Sequence, residues 1–149
     1  MTPFEAVYSA FLSKMLDDEY GDWTIEEIKQ DLNQLLKAAI TWFKFPRVSL
    51  DFAIDEDGNE VGFVERLDNE EIQIIATYMK CEWLNRSILT WEHIKAQYTE
   101  RDFSEANLLN KLCSALEQEK KNALRLESIY YRSIKGKPFR YRKLAGFNE

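Results

Sequence analysis

Leu67-Asp68-Asn69-Glu70-Glu71-Ile72 opens the longest periodic stretch of the chain. Asp68 is placed to cap a helix, and Glu71, three residues on, is placed to complete the capping box. Behind this start Ile72, Ile75, Ala76, Met79, Trp83, Ser87, Trp91, Ile94 and Tyr98 recur at helical spacing. About 30 residues at the α-helical rise reach roughly 45 Å. Arg101-Asp102-Phe103-Ser104 breaks the pattern, and Ser104 is expected to cap a second long helix. Leu108, Leu112, Ala115, Leu116, Ala123, Leu126 and Ile129 carry that helix to about Arg132. Two long helices joined by a short loop pack antiparallel, so helices at 69–98 and 104–132 form the expected spine.

Upstream lie two shorter helical patterns. Thr2-Pro3-Phe4-Glu5 reads as a start, with Thr2 capping, Pro3 at the first helical position and Glu5 completing a capping box. Phe4, Val7, Tyr8, Phe11, Leu12 and Met15 then give a stripe over 2–16, which the acidic run Asp17-Asp18-Glu19-Tyr20-Gly21-Asp22 interrupts. Thr24-Ile25-Glu26-Glu27 starts again, with Trp23 placed to staple onto Ile28. Ile25, Ile28, Leu32, Leu35, Leu36, Ala39 and Ile40 continue to about Phe43, and Lys44-Phe45-Pro46-Arg47 ends the helix because a residue before proline avoids helical geometry.

Between the helix pairs the period falls to two. Leu50, Phe52 and Ile54 alternate with Ser49, Asp51 and Ala53, the turn chemistry of Asp55-Glu56-Asp57-Gly58-Asn59 follows, and Val61 and Phe63 alternate beyond it. This predicts a β-hairpin at about 48–66. A lone hairpin is marginal in water, so it must pack on the helices or add to a neighbouring subunit's sheet. The expected fold is therefore mainly α: a bundle of about four helices over 1–133, with one hairpin insertion, and an extended C-terminal tail over 134–149.

Composition agrees with one helical domain. The chain has 149 residues, 45% hydrophobic and 31% charged, with only five glycines and three prolines, too few for a turn-rich β sandwich. The net charge of −6 argues against a body that grips a nucleic-acid backbone, but it hides an asymmetry. From Arg132 onward there are six cations (Arg132, Lys135, Lys137, Arg140, Arg142, Lys143) and one acid, Glu149, which leaves 14 Lys/Arg against 25 Asp/Glu in residues 1–131. The body is near −11 and the tail near +5, so the two should meet different surfaces. Cys81 and Cys113 sit in helical patterns among apolar neighbours and are expected to be buried free thiols. With two thiols and no signal peptide, a reducing cytoplasm is the expected place of synthesis. No apolar run is long enough to span a bilayer.

The usual signatures of chemistry are missing. His93 is the single histidine and falls mid-helix beside Trp91 and Ile94, so no Ser/His/Asp or Cys/His pairing is legible. One histidine and two distant cysteines lack zinc-ligand spacing. Asp55, Asp57 and Asn59 start like a calcium loop, but Gly58 comes two positions early and Arg66 stands where the bidentate Glu belongs. Asn85-Arg86-Ser87 is a glycosylation sequon only in form, since it falls inside a predicted helix. The carboxylate pairs Glu26/Glu27 and Glu70/Glu71 occupy first helical turns, where they favour the helix dipole. Tyr78, Trp83, Trp91 and Tyr98 have core spacing, with some left over for an interface. No catalytic residue, cofactor or metal is predicted.

The tail is harder to explain as inert. Phe139, Tyr141, Leu144 and Phe147 interleave with Lys137, Arg140, Arg142 and Lys143. Three readings are open: a solvated terminus, a nucleic-acid-binding segment acting through phosphate contacts and stacking, and an arm that orders on an acidic, partly apolar protein surface.

Phe43-Lys44-Phe45-Pro46-Arg47, then Glu70-Glu71-Ile72-Gln73-Ile74-Ile75-Ala76-Thr77-Tyr78-Met79-Lys80, then Glu82-Trp83-Leu84-Asn85-Arg86, resemble the head-to-tail connector (adaptor, or neck) proteins of tailed bacteriophages. Tyr130-Tyr131-Arg132-Ser133 and the basic, aromatic tail add to the likeness. The resemblance implies a structural virion protein that forms a homo-oligomeric ring, usually of twelve subunits, under the portal and continues the DNA channel towards the tail. Its implied partners are the portal protein and a further neck or tail protein, with DNA passing through without specific binding, and with no membrane and no turnover. It makes residues 133–149 a portal-docking arm, anchored by Phe139, Tyr141, Leu144 and Phe147 with Lys137, Arg140, Arg142 and Lys143 meeting acidic groups. It also makes Phe52, Ile54, Val61 and Phe63 of the hairpin a contact with the neighbouring subunit or the next ring. A different class, a small helical nucleic-acid-binding regulator using the basic tail, is the alternative.

Overall fold

The structure, a computed structural model, describes residues 1–15, 20–97, 103–134 and 137–138. Its elements run in the order β1 (Thr2–Pro3), α1 (Phe4–Ser13), α2 (Ile25–Ile40), β2 (Phe52–Ile54), β3 (Glu60–Phe63), α3 (Asn69–Gln97), α4 (Phe103–Tyr131), β4 (Ser133–Ile134) and β5 (Lys137–Pro138). The fold is mainly α: among the described residues there are four helices, a three-stranded antiparallel sheet of β1, β2 and β3, and a two-stranded one of β4 and β5 after α4.

α3 is the axis. It packs against α1, α2 and α4, and Glu71, Ile74, Ile75, Ala76, Thr77, Tyr78 and Met79 are all buried. A helix covered on every side is buried on every side, which is why its first half shows more than a single stripe. Its start follows the sequence: the Asp68 N–H donates to Glu71 Oε1 at 2.9 Å. α4 begins at Phe103, so Ser104 lies inside the helix and not at its cap.

α2 also starts as expected. Thr24 N–H donates to Glu27 Oε2 at 3.0 Å and Glu27 N–H to Thr24 Oγ1 at 3.2 Å, a reciprocal capping box. The helix ends at Ile40, three residues before Phe43, although Phe43 is still buried. Ile25 lies off the buried stripe and is exposed. Asp31 is buried on this helix, held by the two guanidinium nitrogens of Arg86 from α3 and by the Tyr20 hydroxyl. Burial opposes its charge, but the hydrogen bonds from Arg86 and Tyr20 outweigh that and hold the carboxyl below its usual range.

The N-terminus departs from the expectation. Thr2 and Pro3 are not a helix start but a third strand, pairing antiparallel with β3 in the sheet order β1-β3-β2. Pro3 itself is the N-cap, in extended geometry, with no side chain capping the helix. The Thr2 hydroxyl instead donates to the Glu65 carbonyl and accepts from the Leu67 N–H at 2.9 Å. α1 stops at Ser13, and Met15 packs on the core from beyond its end.

The hairpin turns through Gly58, whose φ of +84° is the left-handed conformation glycine adopts freely. Asp55 Oδ1 accepts from the N–H groups of Asp57 and Asn59, so its acceptor role is spent within the turn. Ala53 faces Gly62 and Ile54 faces Glu60, which makes Val61 the extra residue of a bulge. Phe4, Phe52 and Phe63 meet edge to face and fasten the sheet to α1. Among the described residues no helix is long and apolar enough to cross a membrane.

Candidate functional site

Three segments far apart in sequence meet at the C-terminal end of α4. Tyr130 is completely buried there, its hydroxyl donating to Glu71 Oε2 at 3.0 Å and accepting from the Arg47 N–H at 2.6 Å. The Arg47 side chain donates to the Tyr130 carbonyl and lays its guanidinium 3.9 Å from the ring centroid. Phe43 meets the same ring edge to face, at 5.3 Å between centroids. Burial, then the Glu71 carboxylate, against the opposing hydrogen bond from Arg47, leave the Tyr130 hydroxyl pushed up to about 12. The loop after α2, the first turn of α3 and the last turn of α4 are thus locked around one phenol.

Beside the lock, apolar surface reaches solvent. Trp42 is 51% exposed, Phe45 72%, Leu124 60% and Tyr131 43%, too much surface for residues that merely fill a core. Trp42 stacks on Tyr78 at 6.4 Å and donates its indole N–H to Glu82 Oε1 at 2.6 Å, while Phe45 meets Tyr131 edge to face at 6.2 Å. Trp42, Tyr78, Cys81 and Leu124 wall a half-open cavity of about 410 Å³, with Glu82 and Lys120 also on its lining. Glu127 joins the two halves of the patch. It is 7% exposed and accepts from the Tyr131 hydroxyl at 3.2 Å through Oε2, but its Oε1 is buried without a hydrogen-bond partner. Burial and then the Glu127 carboxylate push the Tyr78 hydroxyl upward. A buried carboxylate oxygen without a donor costs free energy until a cation or N–H reaches it.

The basic arm begins at this patch. Ser133–Ile134 pairs antiparallel with Lys137–Pro138, so the first part of the region expected to be extended is a very short hairpin. Lys137 lies on β5; Phe139, Arg140, Tyr141, Arg142, Lys143, Leu144 and Phe147 lie outside the described residues.

The hairpin residues expected at a subunit contact are divided. Phe63 is fully buried in the core of its own chain, and Phe52 is half-buried against Phe4 and Phe63. Val61 is half-buried at the bulge, and of the four only Ile54, 66% exposed, reaches solvent with most of its surface. Intrachain packing accounts for the two phenylalanines. The cysteines divide too: Cys81 is buried, and burial pushes its thiol up to about 11, whereas Cys113 is exposed, contrary to the expectation of two buried thiols. Tyr78 and Trp83 are buried as their spacing suggests. The backbones of Trp91 and His93 lie in α3, their side chains and all of Tyr98 outside the described residues. Among the described residues no group of three or more His, Cys, Asp or Glu is placed to hold a metal ion.

Sequence reasoning missed the patch. Leu124 sits one step off the α4 stripe, and Trp42 and Phe45 flank the one aromatic of that loop, Phe43, that the core uses. Three aromatics in four residues next to a helix-ending proline was the available signal.

Comparison of the chain with known protein families, with characterised proteins and with solved structures finds no match.

Proposed function

We propose that this protein is an assembly subunit that acts by docking and not by turnover, and that its role is that of a head-to-tail connector. In this reading copies form a ring under a portal, residues 134–149 dock on the portal, and DNA passes through the ring without specific binding. The observation that carries it is the exposed patch of Trp42, Phe45, Leu124 and Tyr131 at the point where the chain passes into its basic, aromatic arm. Exposed aromatics around a half-open cavity are the composition of an interface core. The acidic body fits a channel that must repel phosphate, and the cationic arm would be covered by its partner. Ring closure needs heterologous contacts, to which Ile54 at the sheet edge and the patch contribute different surfaces.

Deleting residues 134–149 tests the docking role. The shortened chain is expected to keep its helical circular dichroism and to lose binding to a portal ring; binding that survives the deletion refutes the arm's part.

One observation favours a second reading. Six of the chain's cations lie from Arg132 onward, which suits a nucleic-acid-binding regulator. That reading requires binding to DNA or RNA that falls steeply as salt rises, and an absence of binding even at low salt removes it.

A further inference from the structure

We propose that the Trp42–Tyr78–Leu124 groove and the Glu127 carboxylate beside it are one two-point site for an extended segment of a partner protein: an apolar side chain enters the cavity and, two residues along, an arginine pairs with Glu127. This deepens the docking reading of the patch and rests on it, but it does not require the partner to be a portal.

The apolar point is preformed. Trp42, Tyr78, Cys81 and Leu124 wall about 410 Å³ of half-open space. Trp42 is held by its stacking on Tyr78 and by its indole N–H on Glu82 Oε1, so the wall stands before any guest arrives. Leu124, 60% exposed, supplies apolar surface that its own chain leaves uncovered. An apolar anchor in a pocket of this kind is where binding energy concentrates.

The polar point is a shortage of donors. Among the described residues three buried side-chain polar atoms have no hydrogen-bond partner, and two of them are carboxylate oxygens, Glu127 Oε1 and Glu70 Oε2. Glu70 adjoins Glu71, which holds Tyr130, so both oxygens lie at the end where α3 begins and α4 finishes. Arg47, a cation of that end, already serves the Tyr130 carbonyl and ring and lies 3.8 Å from Asp68. Glu127 is 7% exposed and adjoins the cavity, because its carboxylate raises the hydroxyl of Tyr78, a wall residue. Its other oxygen accepts the neutral Tyr131 hydroxyl at 3.2 Å, from a side chain that is itself 43% exposed. A guanidinium in place of that hydroxyl would meet both oxygens with charge-assisted bonds, a fork that an ammonium group does not match. The occupant is therefore cationic, and an arginine. The acidic excess of residues 1–131, 25 Asp/Glu against 14 Lys/Arg, draws the same partner.

Spacing fixes the motif. Leu124 and Glu127 are three residues apart on α4, about 4.5 Å along the helix axis. In an extended segment adjacent side chains point to opposite faces, whereas residues i and i+2 share a face about 7 Å apart. The partner therefore presents apolar-x-Arg, and an arginine next to the anchor would point away. Lys120, on the cavity lining and about 10 Å along the axis from Glu127, repels the cation from the other end and sets the direction.

The test titrates the full chain with three peptides, acetyl-Phe-Ser-Arg-Ser-amide, acetyl-Phe-Arg-Ser-Ser-amide and acetyl-Phe-Ser-Gln-Ser-amide. Binding is followed by the NMR signal of the Trp42 indole N–H, assigned with Trp42→Phe. The first peptide is expected to bind about ten-fold more tightly than the other two. Glu127→Gln, whose fold is checked by circular dichroism, should remove that advantage and leave the neutral peptide unchanged. Leu124→Ser, at an exposed position, should weaken all three. Equal binding of the arginine and glutamine peptides, or an advantage that survives Glu127→Gln, would overturn the pairing. No shift of the Trp42 signal with any peptide would overturn the groove itself. A full chain that binds the first peptide yet ignores a portal ring would leave this site standing and remove the connector reading.

Discussion

Tyr130 shows how much of this fold hangs on single polar groups. Its hydroxyl serves two partners at once, Arg47 N–H and Glu71 Oε2, in a completely buried site. Tyr130→Phe removes both hydrogen bonds from a buried site and should cost about 2–3 kcal/mol at neutral pH. The pH dependence follows from the raised phenol, which ordinarily titrates near 10 and here is pushed up to about 12. A raised folded-state value means stability fully present below pH 10 and lost as pH climbs through 12. Denaturation by urea at pH 9 and pH 11 should show a smaller alkaline loss in Tyr130→Phe than in the unaltered chain. Gly62 makes a second prediction at this scale. A Cβ there would meet the Thr2 carbonyl oxygen at 2.4 Å, which is backbone and cannot swing aside. Gly62→Ala should displace β1 and cost about 1–3 kcal/mol, read as a lowered denaturation midpoint with unchanged slope. Tyr130 was read in the sequence only as part of the family likeness and Gly62 not at all, because each matters through a contact more than 55 positions away.

At the scale of elements, what was legible was what is local. The Thr24 capping box, the Glu71 contact to Asp68, the hairpin turn at Gly58 and the two long helices depend on neighbours within a few residues, and each stands where its signal lies. What was not legible was long-range. Thr2-Pro3-Phe4-Glu5 has the composition of a helix start, yet Thr2 finds better partners at Glu65 and Leu67, and strand pairing with Phe63 takes the two residues out of the helix. The same pairing turns an expected two-stranded hairpin into a three-stranded sheet, so the hairpin is stabilised inside its own chain. Alternation marks Phe52 and Phe63 as apolar but not which body covers them, and here they pack on Phe4 of their own chain. The α2 end illustrates the opposite error: Phe43 belongs to the core without belonging to the helix.

For the whole molecule, the asymmetry of charge was visible in the sequence, and the structure adds where it is divided. Body and arm meet at the C-terminal end of α4, beside the exposed aromatics and the buried carboxylate of Glu127. A surface of this kind on a small helical subunit is the basis for reading the protein as a part of an assembly. The most direct measurement is mass by light scattering: the full chain alone, the chain without residues 134–149, and each mixed with a portal ring. The account predicts that the full chain joins the portal as a stoichiometric ring and that the shortened chain stays apart. A full chain that ignores the portal, or a shortened chain that joins it equally well, would contradict the account.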